Sequence, residues 1–273
     1  MNTTKGFLSL GLMILTLSCA DSSSDNNSNS EPSIPPAKEL IYDFSNSTNL
    51  EIPDNSNSNS YKILLFGNSH ISGISHILEK LITANSSNIA VALNSSSSQL
   101  YLKERLYDGV SPTTLASDNW THVIFQAQKY SQSGAVDYPI DGTKKWLQLA
   151  KEQNATPILF PEHPQRGNLN EGRMVHNLHV RIAKQESSCV APIGLTWDKV
   201  LLLRPELNLY ASDGNHASYA GRVLSALVFY QVITGKSADL LPFIDSIDLE
   251  PATQDFLGQM ASEMLAERPA CAY

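Results

Sequence analysis

The sequence has few basic residues, and this argues against a nucleic-acid partner. Lysine and arginine together contribute 19 of 273 residues against 27 acidic ones, so the formal net charge is −8 and the isoelectric point lies near 5.3. Proteins that bind nucleic acids usually concentrate Lys and Arg on one face. No basic stripe of that kind occurs here. With 42% hydrophobic residues, the chain is long enough to bury one sizeable core.

Long apolar runs are also missing, except near the N-terminus. There, Lys5 precedes an apolar stretch at 7–17 that is too short to cross a bilayer as a mature helix. We therefore expect residues 1–18 to be a signal peptide. Cys19 follows a small residue, as in bacterial lipoproteins whose acylated cysteine begins the mature chain, although Thr16 stands where such signals usually carry leucine. The alternative is an ordinary secretory signal with an incidental cysteine.

Residues 19–60 are rich in serine, asparagine, aspartate and proline. Such a composition buries too little apolar area to offset the conformational entropy lost on ordering. We predict a disordered Ser/Asn-rich tether that holds the following domain off a membrane through the lipid at Cys19. The expected location is the bacterial cell envelope, either periplasmic or surface-exposed.

Cysteine is scarce, and two cysteines remain once Cys19 is set aside. In an exported protein, Cys189 and Cys271 can form one disulfide that fixes the C-terminal tail to the domain. The alternative is two unrelated thiols.

From residue 61 to residue 273, short apolar runs alternate with helical patterns, which is typical of a parallel sheet covered on both faces. The predicted strands are 61–66, 88–93, 122–126, 156–160 and 190–193. The predicted helices are 74–85, 143–153, 174–186, one from about 218 to a stop at Gly235, and Pro251–Glu267 on the outside of the domain. The pattern predicts a three-layer α/β/α domain of flavodoxin type with a five-stranded parallel sheet.

A serine, a histidine and an aspartate occupy positions that can form a nucleophilic site. Ser69 follows the first predicted strand, and Asp213 lies three residues before His216, directly ahead of the last long apolar helix. A serine hydroxyl becomes a good nucleophile when an imidazole takes its proton, and a carboxylate can hold that imidazole in the required tautomer. Open parallel sheets bind ligands at the carboxyl ends of their strands, where Ser69 is expected.

These segments resemble the SGNH (GDSL-like) hydrolase superfamily of esterases and acetylhydrolases. The first of its four sequence blocks matches Phe66-Gly67-Asn68-Ser69, and the last matches Asp213-Gly214-Asn215-His216. The resemblance covers about 61–243 and includes a looser third block at 120–128. It implies that Ser69 is the nucleophile, His216 the general base and then acid, and Asp213 the residue that holds His216.

The resemblance also implies an oxyanion hole, and here the sequence departs from the family pattern. The Ser69 backbone N–H would be one donor. The second-block glycine is replaced by serine, so Ser96 or Ser97 would offer a backbone N–H, and the third-block asparagine is replaced by Gln128 or Gln126. A glutamine amide carries the same donor on a longer stem.

Four further histidines are candidates for other roles. His70 either lines the substrate pocket or is structural, and His163 follows a predicted strand and is a candidate substrate contact. His176 and His179 have a helical spacing that can bind metal, but no third ligand is evident, so we expect both on a solvated helix face. No metal or cofactor is predicted.

The predicted function is a serine esterase that uses a Ser-His-Asp triad to remove acyl groups, with acetyl favoured, from a carbohydrate or other small ester. Two alternatives remain. The altered oxyanion blocks are compatible with a catalytically impaired surface lipoprotein that binds glycan or a protein partner. A long-chain lipase is less favoured, because no extended apolar lid segment is visible.

Overall fold

The computed structural model describes residues 42–44, 49–84 and 89–272. The predicted signal peptide, the acylated Cys19 and most of the predicted tether lie outside the described residues. In the described part of the chain, no helix is both long enough and apolar enough to cross a membrane.

The centre of the domain is a five-stranded parallel sheet, as predicted. Its strands are β1 (Ser60–Gly67), β2 (Ala90–Ser97), β3 (His122–Phe125), β4 (Thr156–Leu159) and β5 (Cys189–Val190). Their spatial order is β2-β1-β3-β4-β5, and all neighbouring pairs are parallel. This is the flavodoxin order, in which the chain reverses direction across the sheet beside β1.

Eight α-helices surround the sheet in the described part of the chain. They are α1 (Ile74–Ala84), α2 (Leu102–Arg105), α3 (Val110–Ala116), α4 (Asp141–Glu152), α5 (Glu171–Gln185), α6 (Ile193–Leu203), α7 (Tyr219–Thr234) and α8 (Pro251–Glu267). Side chains of β1 alternate between two cores, because successive residues of a strand face opposite sides of the sheet. Ile63 and Leu65 pack with α1, α6, α7 and α8, whereas Leu64 and Phe66 pack with α2, α3 and α4.

Helix α7 begins shortly after the Asp213–His216 segment and fixes the end of that segment. The residues at the two ends of the helix explain where it starts and stops. The Ser218 hydroxyl accepts a hydrogen bond from Gly221 N (3.2 Å) and caps the N-terminus. Gly235, at φ +65°, ends the helix in the left-handed conformation that glycine tolerates. The helix that was predicted from about 218 to Gly235 is therefore present, and it is buried over most of its length.

Residues 49–60 lie against the domain, although the sequence placed them in the tether. Asn55 Nδ2 donates to Thr121 O, Asn154 O and Thr156 Oγ1, each at 3.0 Å. Asn49 Oδ1 accepts from Ser187 N (2.7 Å). These polar side chains therefore bind backbone at the amino end of the sheet, and the ordered domain begins before residue 60.

The sequence patterns also missed three helices and misplaced some strand ends. Helices α2, α3 and α6 were not predicted, and Ile193, assigned to the last strand, begins α6. Strand β2 continues to Ser97, because its serines pair in register with β1 up to Gly67. Such polar residues do not produce the apolar run by which a strand is recognised.

A disulfide joins Cys189 in β5 to Cys271 near the C-terminus. Next to it, Val190 N donates to Ala270 O at 2.7 Å. The tail that follows α8 therefore covers part of the edge of β5. Helix α8 itself packs on α7, with Leu257, Met260 and Ala261 buried.

Candidate active site

The turn after β1 presents Ser69 at the carboxyl edge of the sheet. Gly67 is required there, because a Cβ atom at this position would approach Gln126 Oε1 to 2.6 Å. Asn68 caps a short 3₁₀ turn over Ser69–Ile71, with its Oδ1 accepting from His70 N (3.0 Å). Ile71 is buried, whereas Ser69 is exposed. The turn is therefore anchored by an apolar side chain and leaves the serine hydroxyl accessible.

The loop before α7 holds the aspartate and the histidine in a fixed arrangement. Asp213 Oδ1 accepts from the backbone N–H groups of Asn215 and His216, both at 2.9 Å. Its other oxygen, Oδ2, lies 2.6 Å from His216 Nδ1. Gly214 adopts φ +72°, which allows the tight turn between them. The hydrogen bonds from the His216 ring and from the two backbone N–H groups hold the pKa of Asp213 well below its usual range.

These two segments are far apart in the sequence, and a short hydrogen bond joins them in the fold. Ser69 Oγ lies 2.7 Å from His216 Nε2, with a sequence separation of 147. Because Asp213 is ionised, it favours the tautomer in which Nδ1 carries the proton and Nε2 accepts from the serine. The structure thus brings Ser69, His216 and Asp213 into one hydrogen-bonded chain that can activate a hydroxyl.

His163 supports the histidine loop from behind, and this corrects the expectation that it contacts substrate. Its side chain is 3% exposed, and its ring stacks on Trp197 with centroids 3.9 Å apart. Its Nε2 lies 2.9 Å from Asn215 O, between Asp213 and His216 in sequence. Burial, together with the neighbouring His70, lowers the pKa of His163 to about 3, so the ring is neutral and donates its N–H to this carbonyl.

His70 lies within the site. Its ring stacks on the His216 ring with centroids 5.1 Å apart and an interplanar angle of 26°. It also contacts the His163 ring edge-on, at 5.1 Å. His70 therefore packs between the general-base candidate and the buried support, which fits a structural role better than a pocket lining.

One predicted oxyanion donor is free, and one of the two candidate serines lies beside it. Among the described residues, the Ser69 backbone N–H has no hydrogen-bond acceptor. Ser97 lies alongside the nucleophile turn, with its hydroxyl 3.3 Å from Asn68 O. The Ser96 carbonyl accepts from Arg105 Nη2 (2.8 Å), which also bonds Gly67 O (2.7 Å). Of the two serines, Ser97 is the one placed next to Ser69.

Neither glutamine amide is free to serve as the third oxyanion donor, contrary to the expectation. Gln128 Nε2 donates to Lys129 O (2.7 Å) and Pro139 O (3.3 Å), and its Oε1 accepts from Thr143 Oγ1 (2.6 Å). Gln126 is fully buried. Its Oε1 accepts from Asn68 N (2.8 Å), and its Nε2 donates to Glu162. Both amides therefore hold neighbouring segments of the protein together.

Sequence reasoning missed Arg105, a buried cation directly below the nucleophile turn. Its Nη2 donates to Gly67 O (2.7 Å) and Ser96 O (2.8 Å), and its Nη1 donates to Ser111 Oγ (3.0 Å). The side chain is fully buried, and burial lowers its pKa from the usual value. Arg105 therefore joins the ends of β1 and β2. Its position in the unpredicted helix α2 gave no signal that it would be buried.

The two histidines of α5 are buried, which corrects their assignment to a solvated helix face. His176 is 8% exposed and His179 is 2% exposed, and His179 Nδ1 bonds Val175 O at 2.8 Å. They face the interior because α5 packs against both the sheet and α6. Within the described residues, no three histidine, cysteine or acidic side chains cluster in a way that could hold a metal ion.

The buried histidines predict a loss of stability in mild acid. Burial lowers the pKa of His122 and His163 to about 3, and that of His176 and His179 to about 4. In the unfolded chain each titrates near 6.5. Below that pH the unfolded state takes up protons that the folded state does not, so stability falls as the pH drops from about 6.5 towards 4, by about 1.4 kcal/mol per pH unit for each histidine.

Urea unfolding at neutral pH and in mild acid measures this loss. Substituting phenylalanine for His122 should make stability less dependent on pH, because one buried imidazole is removed. His76, which is exposed, provides the matched control as His76→Gln. Equal pH dependence in the two variants would contradict the assignment of the effect to burial.

A flavodoxin-type sheet carrying a Ser–His–Asp chain at its carboxyl edge is the arrangement implied by the resemblance to the SGNH hydrolases. No protein-family model matches the chain. No curated protein matches it either.

Solved structures do match. A candidate SGNH hydrolase from Slackia heliotrinireducens superposes with a TM-score of 0.51 at 21% identity, covering 63% of this chain and 98% of its own. A DUF4886 family protein from Bacteroides uniformis superposes with a TM-score of 0.58 at 13% identity, covering 78% of this chain and 97% of its own. The chain therefore has the α/β fold of its SGNH hydrolase neighbour.

Proposed function

We propose that this protein is a serine hydrolase that cleaves carboxylic esters, with Ser69 as nucleophile. The observation that carries the proposal is the hydrogen-bonded chain of Ser69, His216 and Asp213, with 2.7 Å between Ser69 Oγ and His216 Nε2. The fold shared with a candidate SGNH hydrolase supports the same reaction class.

In the proposed reaction, Ser69 Oγ attacks the ester carbonyl while its proton passes to His216 Nε2. The resulting imidazolium is stabilised by Asp213, which stays ionised. The C–O bond to the alcohol then breaks, and His216 returns the proton to the leaving oxygen. Water attacks the acyl-serine with His216 again as base, which releases the carboxylic acid and restores Ser69.

The oxyanion of the tetrahedral intermediate needs donors in place before the reaction begins. The unbonded Ser69 N–H is the first. We propose the Ser97 backbone N–H as the second, since Ser97 lies beside Asn68. The positive charge of Arg105, held below Gly67 O, adds a favourable field. These groups would stabilise the oxyanion in place of the third-block amide, because the Gln128 amide is bonded to Lys129 O and Pro139 O.

The exposure of the site favours a small acyl group on a larger alcohol. The side chains of His216 and Asp213 are 39% and 49% exposed, and Ser69 is exposed as well. A bulky alcohol such as a carbohydrate can approach such an open site without entering a tunnel. We therefore propose an acetyl ester of a carbohydrate or another small ester as substrate. We further propose that the signal peptide and Cys19 place the enzyme in the cell envelope, anchored by lipid.

One observation favours a second candidate, a catalytically impaired surface protein that binds glycan. The amide of Gln128, which replaces the third-block asparagine, is bonded to Lys129 O and Pro139 O and does not reach the site. Loss of one oxyanion donor costs about 10²- to 10³-fold in rate in a serine hydrolase. Such a loss would leave binding intact.

Covalent labelling with a fluorophosphonate separates the two candidates. We expect the probe to modify wild-type protein at Ser69, because the Ser–His pair activates the hydroxyl towards phosphorus as it does towards an ester. Mass spectrometry of the labelled peptide locates the adduct, and Ser69→Ala provides the unlabelled control. An unlabelled wild-type protein with a native circular dichroism spectrum would favour the binding protein.

A further inference from the structure

A lysine lies between two tyrosines on loops at the carboxyl edge of the sheet. Lys129 Nζ is 5.3 Å from the centroid of the Tyr101 ring and 4.6 Å from that of the Tyr138 ring. We call these three residues the tyrosine clamp. Lys129 is exposed, Tyr101 is 38% exposed, and Tyr138 is half-buried.

The topology of the sheet puts the tyrosine clamp on the loops that follow the two neighbours of the nucleophile strand. Tyr101 follows β2 and Lys129 follows β3, each four residues after its strand ends. Strand β1, whose end carries Ser69, lies between β2 and β3. Neighbouring strands are only about 4.8 Å apart. The clamp therefore rises from the two loops that flank Ser69, on the carboxyl edge where such sheets bind ligands.

Hydrogen bonds within the protein hold the loops that carry the clamp, so the loops need no ligand to order them. Gln128 Nε2 donates to the carbonyls of Lys129 and Pro139 and so closes the loop that presents Lys129 and Tyr138. On the other side, Leu102 N donates to Ala127 O at 3.0 Å and ties the Tyr101 segment to the same loop. Ala127 adopts φ +78°, which a non-glycine residue seldom does. Strained backbone held by its surroundings is common at ligand sites.

The ammonium group of Lys129 has no acidic partner in the described part of the chain. The acids of neighbouring segments are bonded elsewhere: Asp137 to Arg181 (3.5 Å), Asp141 to Lys144 (3.9 Å), and Glu104 to the backbone N of Tyr101 (3.0 Å). A lysine has three N–H donors. The rings of Tyr101 and Tyr138 orient the ammonium group without neutralising its charge.

We propose that the tyrosine clamp binds an anionic sugar, so that the preferred substrate is an acylated carbohydrate carrying a carboxylate. This inference rests on the proposed esterase function and names its substrate class. The uncompensated ammonium pairs with the sugar carboxylate, and the amphipathic tyrosine rings contact the apolar face of the sugar ring. The charge of Lys129 thus selects the alcohol part of the ester, while the Ser69 site acts on the acyl part.

The test compares two substrates that differ in the carboxylate, O-acetylated methyl glucuronoside and O-acetylated methyl glucoside. Wild-type enzyme should prefer the anionic ester in kcat/KM by about five-fold, the upper range for an exposed ion pair. Lys129→Met should abolish this preference through KM, and Lys129→Arg should retain it. Lys236→Met, an exposed lysine at the opposite end of the sheet, should leave it unchanged. Turnover of 4-nitrophenyl acetate, which carries no sugar, should be the same in wild type and Lys236→Met.

Salt provides an independent measurement. Raising the ionic strength from about 0.01 M to about 1 M shortens the screening length from about 30 to about 3 Å, so the wild-type preference should shrink towards that of Lys129→Met. A preference for the anionic ester that survives in Lys129→Met, or no preference in wild type, would overturn the proposal. Binding of methyl glucuronoside to Ser69→Ala, measured by calorimetry, tests the clamp without catalysis. An inactive wild-type protein that binds this sugar through Lys129 would refute the esterase function and retain the clamp.

Discussion

Ser69→Ala is expected to lower kcat for 4-nitrophenyl acetate by about 10⁴- to 10⁶-fold, the loss that follows removal of a serine nucleophile in hydrolases with this triad. The reason is geometric. His216 Nε2 has Ser69 Oγ at 2.7 Å, so the substitution removes the atom that attacks and leaves the base without its proton donor. Initial rates of nitrophenol release measure the effect.

The neighbouring Ser72 supplies a matched control. It is exposed on the same turn, and its backbone N–H bonds Ser69 O at 3.1 Å. Ser72→Ala keeps that bond and removes a hydroxyl of the same kind, so its kcat should match that of wild type. Equal activity of Ser69→Ala and wild type would reject Ser69 as the nucleophile.

Arg105→Met is expected to destabilise the domain by about 3 kcal/mol, because buried acceptors lose a charged donor that no water can replace. Gly67 O keeps the hydrogen bond from Ser98 N (2.9 Å), but Ser96 O loses the guanidinium. For a domain of this size the melting temperature should fall by about 9 °C. Thermal unfolding followed by circular dichroism measures the change.

The same substitution should also reduce activity, since Arg105 holds the end of β1, from which Ser69 projects. Lys103→Met, on the exposed side of the same short helix, removes an equal charge and should leave the melting temperature unchanged. If both variants melted at the same temperature as wild type, the guanidinium would not support the turn.

The sheet and its order could be predicted because four of the five strands are apolar runs bounded by helical patterns. The site was predictable only where its residues form short motifs at the ends of predicted elements. Ser69 and the Asp213–His216 segment stand at element ends, where the sequence shows a change of pattern. The roles of Gln126 and Gln128 were not readable, because an amide can serve either a substrate or a loop, and the choice depends on which carbonyls lie within reach. His163 illustrates the same difficulty. Its position after a strand does not reveal whether its side chain is buried or faces the site.

The sequence also could not show where the ordered domain begins. Asn55 looks like any other asparagine in a Ser/Asn-rich stretch, yet its side chain binds three acceptors on the domain. Composition describes the average tendency of a segment to stay unfolded. It does not show that the Asn55 amide lies within hydrogen-bonding distance of the Thr121 and Asn154 carbonyls.

The disulfide between Cys189 and Cys271 encloses some of the site residues in a covalent loop and leaves the others outside it. It closes a covalent loop with a sequence separation of 82 residues, and the segment that carries Asp213 and His216 lies inside that loop. Ser69 lies outside it. Closing a loop of this length lowers the entropy of the unfolded chain by an amount equivalent to about 4.5 kcal/mol in the chain-entropy account. The oxidising environment expected for an exported protein would therefore stabilise the whole cooperatively folded domain, and with it the geometry in which His216 meets Ser69.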